Sequence, residues 1–275
     1  MQPVNICLIC HQSSLFIFKN ELLGKYEVSY FRCGHCGCLQ TEKPYWLDEA
    51  YEAAITSLDV GMVGRNISLA QEAARIIGQA FDARSRFLDY AGGYGLFVRM
   101  MRDKGFDFYR SDRYCTNIFA RHLDLKDLEP DPVFELVTAF EVLEHLVDPI
   151  AEVEKILGFS DSLLFSTLLV PAHLKQIKNW WYLTPETGQH IVFFTVRTLE
   201  ILAEHLGCQL FSNGSDLHLL TKRKMADPFV EKKKSMAVRV AQKYLRWAAP
   251  SDVTGHSLLA QDFEAARRRL AKTLP

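Results

Sequence analysis

The 275 residues are 48% hydrophobic, 24% charged and 12% aromatic, and 32 Lys and Arg nearly balance 33 Asp and Glu. This profile excludes collagen-like and disordered chains, and no apolar run approaches the roughly 20 residues of a membrane span. The near-neutral total conceals a split: residues 1–220 hold 19 basic and 28 acidic side chains, and residues 221–275 hold 13 and 5.

Met1-Gln2-Pro3 does not open a secretory signal, so a cytoplasmic, reducing compartment is expected. Most of the cysteines crowd the amino-terminal end. They form Cys7-x-x-Cys10 and, after the stretch 11–32, Cys33-x-x-Cys36, with Cys38 just beyond. The short spacing inside each pair lets one tight turn aim both sulfurs at a single ion, so two such knuckles make a four-thiolate structural zinc site. Cys38, His11 and His35 are substitute ligands. Buried structural cysteines or a redox Cys-x-x-Cys pair are the alternatives. The stretch between the knuckles reads as a hairpin, with strands over 15–18 and 26–31 and a turn over 20–25. Gly34 and Gly37 suit the knuckle. Aromatic, helical sequence begins after Pro44, which sets the boundary of a ribbon over 1–44.

Ser68 and Gln71 form a capping-box pattern ahead of a helix over 69–81. Strands and helices then alternate: strand 86–90, helix 96–104, strand 106–109, strand 134–140, helix 144–157, strand 162–170, helix 196–206, and two late strands over 208–212 and 217–221. This order demands an α/β fold, a mostly parallel sheet with helices on both faces. Between the first strand and its helix lies Ala91-Gly92-Gly93-Tyr94-Gly95, a turn that brings backbone amides close to a ligand at the carboxyl edge of the sheet. Asp112 follows at the end of the next strand. There a carboxylate can accept both hydroxyls of a ribose. A dinucleotide site wants a third glycine, and Phe97 and Val98 stand in its place.

The run Asp89-x-Ala91-x-Gly93-x-Gly95 resembles the Asp/Glu-x-Gly-x-Gly-x-Gly signature of class I S-adenosylmethionine-dependent methyltransferases. Ala91 replaces the first glycine, which requires φ < 0 there. Phe134–Pro149, with Phe140-Glu141-Val142-Leu143-Glu144-His145 at its centre, is similar to that superfamily's fourth strand and following helix. The resemblance covers about residues 45–220. It implies a Rossmann-like class I methyltransferase sheet of seven strands, carrying a small N-terminal zinc ribbon and a C-terminal helical tail. For the cofactor S-adenosyl-L-methionine it implies Asp89, Tyr90, Gly92, Gly93 and Gly95 near the methionine part, Asp112 on the ribose, and Phe140 and Glu141 lining the site. Asp124 is a candidate to face the adenine, and Arg65-Asn66 to reach the methionine carboxylate.

Methyl transfer needs a positioned acceptor and, for oxygen or carbon acceptors, a place for its proton. Glu141, Glu144 and His145, at i, i+3 and i+4, share one face of an expected helix start. The aromatic segment Trp180–His190 is the expected substrate loop, so His145, His190, Glu144 and Tyr182 are the candidate catalytic residues. Glu141, Glu144, His145 and His190 also resemble the divalent-ion set of small-RNA 2′-O-methyltransferases and some quinone O-methyltransferases. A zinc module ahead of such a core is similar to sugar C-methyltransferases, which carry a further large C-terminal domain; only the short stretch 222–275 follows the core here. The expected partner is a small-molecule acceptor, with saccharides and natural-product intermediates included.

Residues 222–275 carry three basic runs and two amphipathic helical patterns, 237–248 and 257–270. They suit packing on the acidic core or on a second copy of the chain, so the tail is a candidate for homo-oligomeric contact. The basic runs lack the regular aromatic interleaving of a single-strand binder, so nucleic acid is not an expected partner. The competing functions are a nicotinamide-dependent oxidoreductase and a zinc-ribbon nucleic-acid-binding or adaptor protein with a vestigial cofactor site.

Overall fold

The computed structural model describes residues 4–52, 55–56, 58–230, 257–258, 261–265 and 268. The chain opens with β1 (Val4–Ile6), β2 (Ser13–Leu22), β3 (Tyr26–Cys33) and β4 (Leu39–Thr41). It continues through α1 (Leu47–Ala50), α2 (Met62–Ala80), β5 (Arg86–Tyr90), α3 (Leu96–Asp103) and β6 (Asp107–Ser111). Then follow β7 (Leu136–Phe140), α4 (Pro149–Ile156), β8 (Ser162–Ser166), α5 (Leu174–Lys178), β9 (Val192–Phe193), α6 (Val196–His205), β10 (Gln209–Ser212) and β11 (Leu217–Thr221).

Two sheets result. The larger runs β10-β11-β8-β7-β5-β6, parallel from β6 through β8 and antiparallel at β11 and β10. Its central strands β7 and β8 are buried on both faces, as the near-continuous apolar sequence of a covered parallel sheet requires. Ala73, Ile77, Phe97 and Met101 pack one face; Val153, Ile156, Leu199 and Leu202 pack the other.

The seven expected strands become six. The third strand of the resemblance is reduced, among the described residues, to one parallel bridge between Arg110 and Asp124. The reason is local: Asp124 caps a 3-10 turn over Leu125–Asp127, and His122 sits at φ 66, so the segment cannot run extended.

The smaller sheet, β1-β2-β3-β4-β9, is antiparallel. Its last strand, β9, comes from far down the chain, with Leu39 opposite Phe193 and Gln40 opposite Val192. The expected hairpin is longer than its sequence pattern, because β2 continues through residues 19–22 and the turn shrinks to Leu23–Lys25.

Two other expectations change. Helix α2 begins at Met62 rather than after Ser68; the Asn66 amide bonds the Met62 carbonyl at 2.8 Å, and Ser68 lies exposed in mid-helix. The expected 144–157 helix splits, because Asp148 caps a new helix through Ala151 N and Pro149 takes its first position. The amphipathic pattern at 237–248 lies outside the described residues. Of 257–270, residues 261–265 are helical, and Asp262 bonds Arg102 and Arg99, all at 2.8 Å. No helix of the described residues is long and apolar enough to cross a membrane.

Candidate active site

The carboxyl ends of β5, β6 and β7 surround a cavity of about 1320 Å³. Its floor is the glycine turn. Gly92 packs so closely that an added Cβ would stand 2.5 Å from Asp89 Oδ2, and Gly95 caps α3 at φ 84. Ala91 contradicts the expected backbone: its φ is 54. A side chain thus stands in the left-handed region, a strained conformation, because the turn is held on both sides. Arg110, buried on β6, reaches under it and donates to the Gly93 and Cys115 carbonyls.

Asp89 is buried beside Thr138, whose hydroxyl donates to it at 2.7 Å. Burial pushes its carboxyl up to about 7. Asp112 accepts from Gly93 N at 2.9 Å and from Tyr114 N and Cys115 N at 2.8 and 2.7 Å. Asp124 is turned into an ion pair with Arg110 at 2.6 Å, with Asn117 Nδ2 3.1 Å away. Arg65 lines the cavity but is held bidentately by Asp59, while Asn66 is spent on its own helix.

Of the expected site residues, Asp89, Tyr90, Gly92, Gly93, Asp112, Phe140, Glu141, His145, Tyr182 and His190 line this cavity. Gly95 lies behind the wall, against Ala120 and Asn117. Glu144 is fully buried just beneath the wall.

The acidic and imidazole groups meet, but not on a helix. Glu141 takes φ 53, and a 3-10 turn over Leu143–His145 follows. Tyr182 bridges the two carboxylates, its hydroxyl 3.0 Å from Glu141 Oε2 and 2.5 Å from Glu144 Oε1; Ser166 donates to Glu141 Oε1 at 2.6 Å. Glu144 Oε2 is buried and lacks a well-formed hydrogen bond, with the Thr167 hydroxyl as its neighbour. Burial, with Glu141 nearby, holds the Glu144 carboxyl well above the usual carboxylate range.

His190 Nδ1 lies 2.7 Å from the Tyr182 carbonyl. A carbonyl only accepts, so Nδ1 carries the proton and Nε2 keeps its lone pair. His145 Nδ1 meets the Tyr51 hydroxyl at 3.0 Å, and its ring also bonds the Gln189 backbone. Burial keeps both imidazoles neutral, with His190 lowered to about 4. One donor atom each from Glu144, His145 and His190 lies within 4.8 Å of the others. Glu141 stands outside that group.

Sequence reasoning missed Tyr51, Thr138, Ser166 and Arg110. Tyr51 comes from the linker after the ribbon, which is pinned by Trp46 Nε1 to Gly188 O at 2.8 Å and by Gln189 Nε2 to Ala50 O at 2.7 Å. Long-range pairing of this kind leaves no local signal. Thr138 and Ser166 did leave one: polar residues inside otherwise apolar buried strands.

The four knuckle cysteines also converge, with one sulfur each within 4.8 Å of the others. Cys7 and Cys36 Sγ stand 3.5 Å apart, Cys10 and Cys33 Sγ 3.4 Å. Hydrogen bonds from Cys36 and Cys38 hold the Cys7 thiol far below its usual range. His35 is exposed, and His11 faces outward against His205, with ring centroids 5.9 Å apart. The Cys36 carbonyl accepts from Thr195 and Thr198 at 2.7 and 3.0 Å, which fastens the knuckle to α6.

A family model described as a methyltransferase domain matches residues 65–213. No curated protein matches the chain. Among solved structures, CalO1, a methyltransferase in calicheamicin biosynthesis in its SAH-bound form, is 21% identical with a TM-score of 0.40; the match covers 64% of this chain and 61% of that one. An O-methyltransferase family 2 protein from Planctomyces limnophilus, in complex with apigenin, is 15% identical with a TM-score of 0.39, covering 62% and 63%. The plantazolicin methyltransferase BpumL, with SAH and a desmethylPZN analogue, is 11% identical with a TM-score of 0.44, covering 65% and 93%. The chain therefore spans less than two thirds of the first two proteins.

Proposed function

The chain belongs to the methyltransferase-domain family, and on that premise we propose that it transfers the methyl group of S-adenosylmethionine to an oxygen or carbon of a small molecule. The observation that carries this reading is one cavity walled both by the glycine turn, Asp89 to Gly93, and by Glu141, His145, Tyr182 and His190. The first set is a nucleoside and amino-acid cradle; the second is proton chemistry in the same cleft.

When bound, S-adenosylmethionine supplies an activated methyl carbon on a sulfonium. Gly92 and Gly93 offer close backbone approach, Phe140 and Tyr90 its walls, and Asp112 a carboxylate for the ribose hydroxyls. Asp112 must then trade its backbone partners for the ligand. Glu141 is braced by Ser166 and Tyr182 and holds the strand end at its special φ. His190, with Nδ1 fixed by a carbonyl, is the group that accepts the acceptor's proton at Nε2. The Tyr182 carbonyl orients that ring, Glu144 anchors the Tyr182 hydroxyl, and His145 is oriented by Tyr51.

A second reading of the same residues has a specific observation behind it. Glu144 and His190 each place a donor atom beside the His145 ring, so a divalent cation would be held by Glu144 and His190, and by His145 once its ring gave up Tyr51 or the Gln189 backbone. Glu141, already held by Ser166 and Tyr182, would support it from behind. The ion would polarise the acceptor oxygen. Activity that rises with added Mg²⁺ or Mn²⁺ after chelation favours this reading; indifference removes it.

The remaining organisation follows the same logic. Residues 1–44 form a zinc ribbon with ligands Cys7, Cys10, Cys33 and Cys36, residues 45–221 the S-adenosylmethionine-dependent domain, and residues 222–275 a basic tail. Four thiolates close a tetrahedral ion completely, so this zinc is structural. Competition calorimetry tests the central reading: S-adenosylhomocysteine binds one to one, undisturbed by excess NAD. Binding of NAD in its place makes the protein an oxidoreductase.

A further inference from the structure

Six rings follow one another along the wall of the cavity. From Tyr114 the path runs to Tyr51, His145, His190, Tyr182 and Trp181, with centroid separations of 5.4, 6.3, 4.7, 4.6 and 5.5 Å in that order. The two ends are solvent-facing: Tyr114 is 69% exposed and Trp181 71%. The middle is the half-buried imidazole pair beside buried Tyr182. The arc therefore links two solvent-facing rings of the cavity lining to the residues assigned to proton transfer.

The rim also carries aliphatic surface. Leu58 and Val147 line the same cavity and are 57% and 54% exposed. Large apolar side chains gathered around one opening mark a binding surface. Several of the charged residues nearby are engaged with one another, while Asp48 and Arg113 also line the cavity. Arg65 is clasped by Asp59, Lys155 holds Glu152 and the Tyr90 hydroxyl, and Asp148 caps α4. A sugar seated here would leave hydroxyl groups against Leu58 and Val147 without hydrogen-bond partners, which costs free energy. A flat ring system would instead find edges and faces at stacking distance. The volume, about 1320 Å³, exceeds the range of about 300–1,000 Å³ that suits a single small ligand, which leaves room for an acceptor of either kind beside the cofactor.

We infer that the acceptor is a planar aromatic compound, which enters between Tyr114 and Trp181 and is held by stacking against the ring arc. The inference narrows the methyl-transfer reading and rests on it. Trp181 acts as the specificity-determining residue at the rim; it holds the ring system, and the proton chemistry stays with His190.

The test uses the full chain loaded with S-adenosylhomocysteine. Calorimetric titrations compare 2-naphthol, a trihydroxyflavone and a dihydroxyanthraquinone with methyl β-glucoside, UDP-glucose and choline. At least one planar phenol binds, the sugars and choline do not, and Trp181→Ala weakens the phenol about tenfold while S-adenosylhomocysteine affinity stays within twofold. Trp181→Phe restores most of the loss. Binding of a sugar or of choline with no phenol bound overturns the acceptor class and leaves methyl transfer standing, as does phenol affinity unchanged in Trp181→Ala. Failure of the unmodified chain to bind S-adenosylhomocysteine overturns methyl transfer and the acceptor class together.

Discussion

The chain gathers ligand-type side chains at two places, and in each one atom per residue lies within 4.8 Å of the others. They are built in opposite ways. Cys7, Cys10, Cys33 and Cys36 come from two short motifs, at the turns that follow β1 and β3. They are four copies of one ligand type, enough to close a tetrahedral ion on all sides. Glu144, His145 and His190 come from two segments well separated along the chain, differ in type, and share a wall with a large cavity. A closed set of like ligands is architecture. A mixed set next to a cavity is chemistry.

The largest expected effect tests the closed cluster. Cys33→Ser breaks the four-thiolate set, and the ribbon should lose its order with a fall in Tm of about 10 °C or more. The loss should spread to α6 and β9, because Cys36 is tied to Thr195 and Thr198 and Leu39 is paired with Phe193. Thermal melts of the variant, with zinc content by absorption spectrometry, check this. A folded variant with an intact melt would make the cysteines ordinary core.

The mixed cluster should answer in rate rather than stability. His190→Ala is expected to lower kcat by about 10²–10⁴-fold, and Glu144→Ala, which releases the Tyr182 hydroxyl, to lower it less, each with S-adenosylhomocysteine affinity within twofold. Tyr51→Phe should lower kcat several-fold through the orientation of His145. Steady-state kinetics beside calorimetry separates the two readouts; lost cofactor affinity would move these residues to the cofactor pocket.

How legible each cluster was follows from its construction. The thiols were readable because two Cys-x-x-Cys turns carry their geometry in consecutive residues. The alternating core was readable because buried parallel strands are continuously apolar, as in Leu136–Phe140. The Glu141–His145 stretch was readable as a motif but misread as a helix face. The left-handed φ of Glu141 depends on Ser166 and Tyr182, which arrive from elsewhere. Tyr51 was illegible for the same reason. The third strand that the resemblance implies is missing from the larger sheet among the described residues, because capping by Asp124 competes with extension and wins.

The tail extends the lesson. Its amphipathic patterns and excess of positive charge suggested packing on the acidic core or on a second copy of the chain. The described residues show contacts of both polarities: basic Arg223 on Glu135 at 2.7 Å, and acidic Asp262 on Arg99 and Arg102. Burial alone would raise the Asp262 carboxyl, but the hydrogen bonds from Arg102 and Arg99 outweigh it and hold it below the usual carboxylate value. A depressed carboxyl contributes stability above its unfolded pKa of about 4, and that contribution is lost as pH falls through the folded value. Asp262→Ala should therefore cost about 2 kcal/mol at pH 7 and little near pH 2. Denaturant melts at both pH values decide it; an equal cost at each would remove the ionic account.

The smallest effect lies in the cofactor turn. Ala91→Gly relieves a side chain held at φ 54 and should raise stability by about 1 kcal/mol, against the usual entropic cost of glycine. A loss of that size would show that the methyl group is packed usefully.

The central claim is that one cleft holds S-adenosylmethionine between the glycine turn and the Glu141–His145 segment. Amide hydrogen exchange with and without S-adenosylhomocysteine tests it most directly. The account predicts new protection confined to residues 89–95, 111–115 and 140–145, with the cysteine ribbon unchanged. Protection centred on the ribbon, or none in the glycine turn, would contradict it.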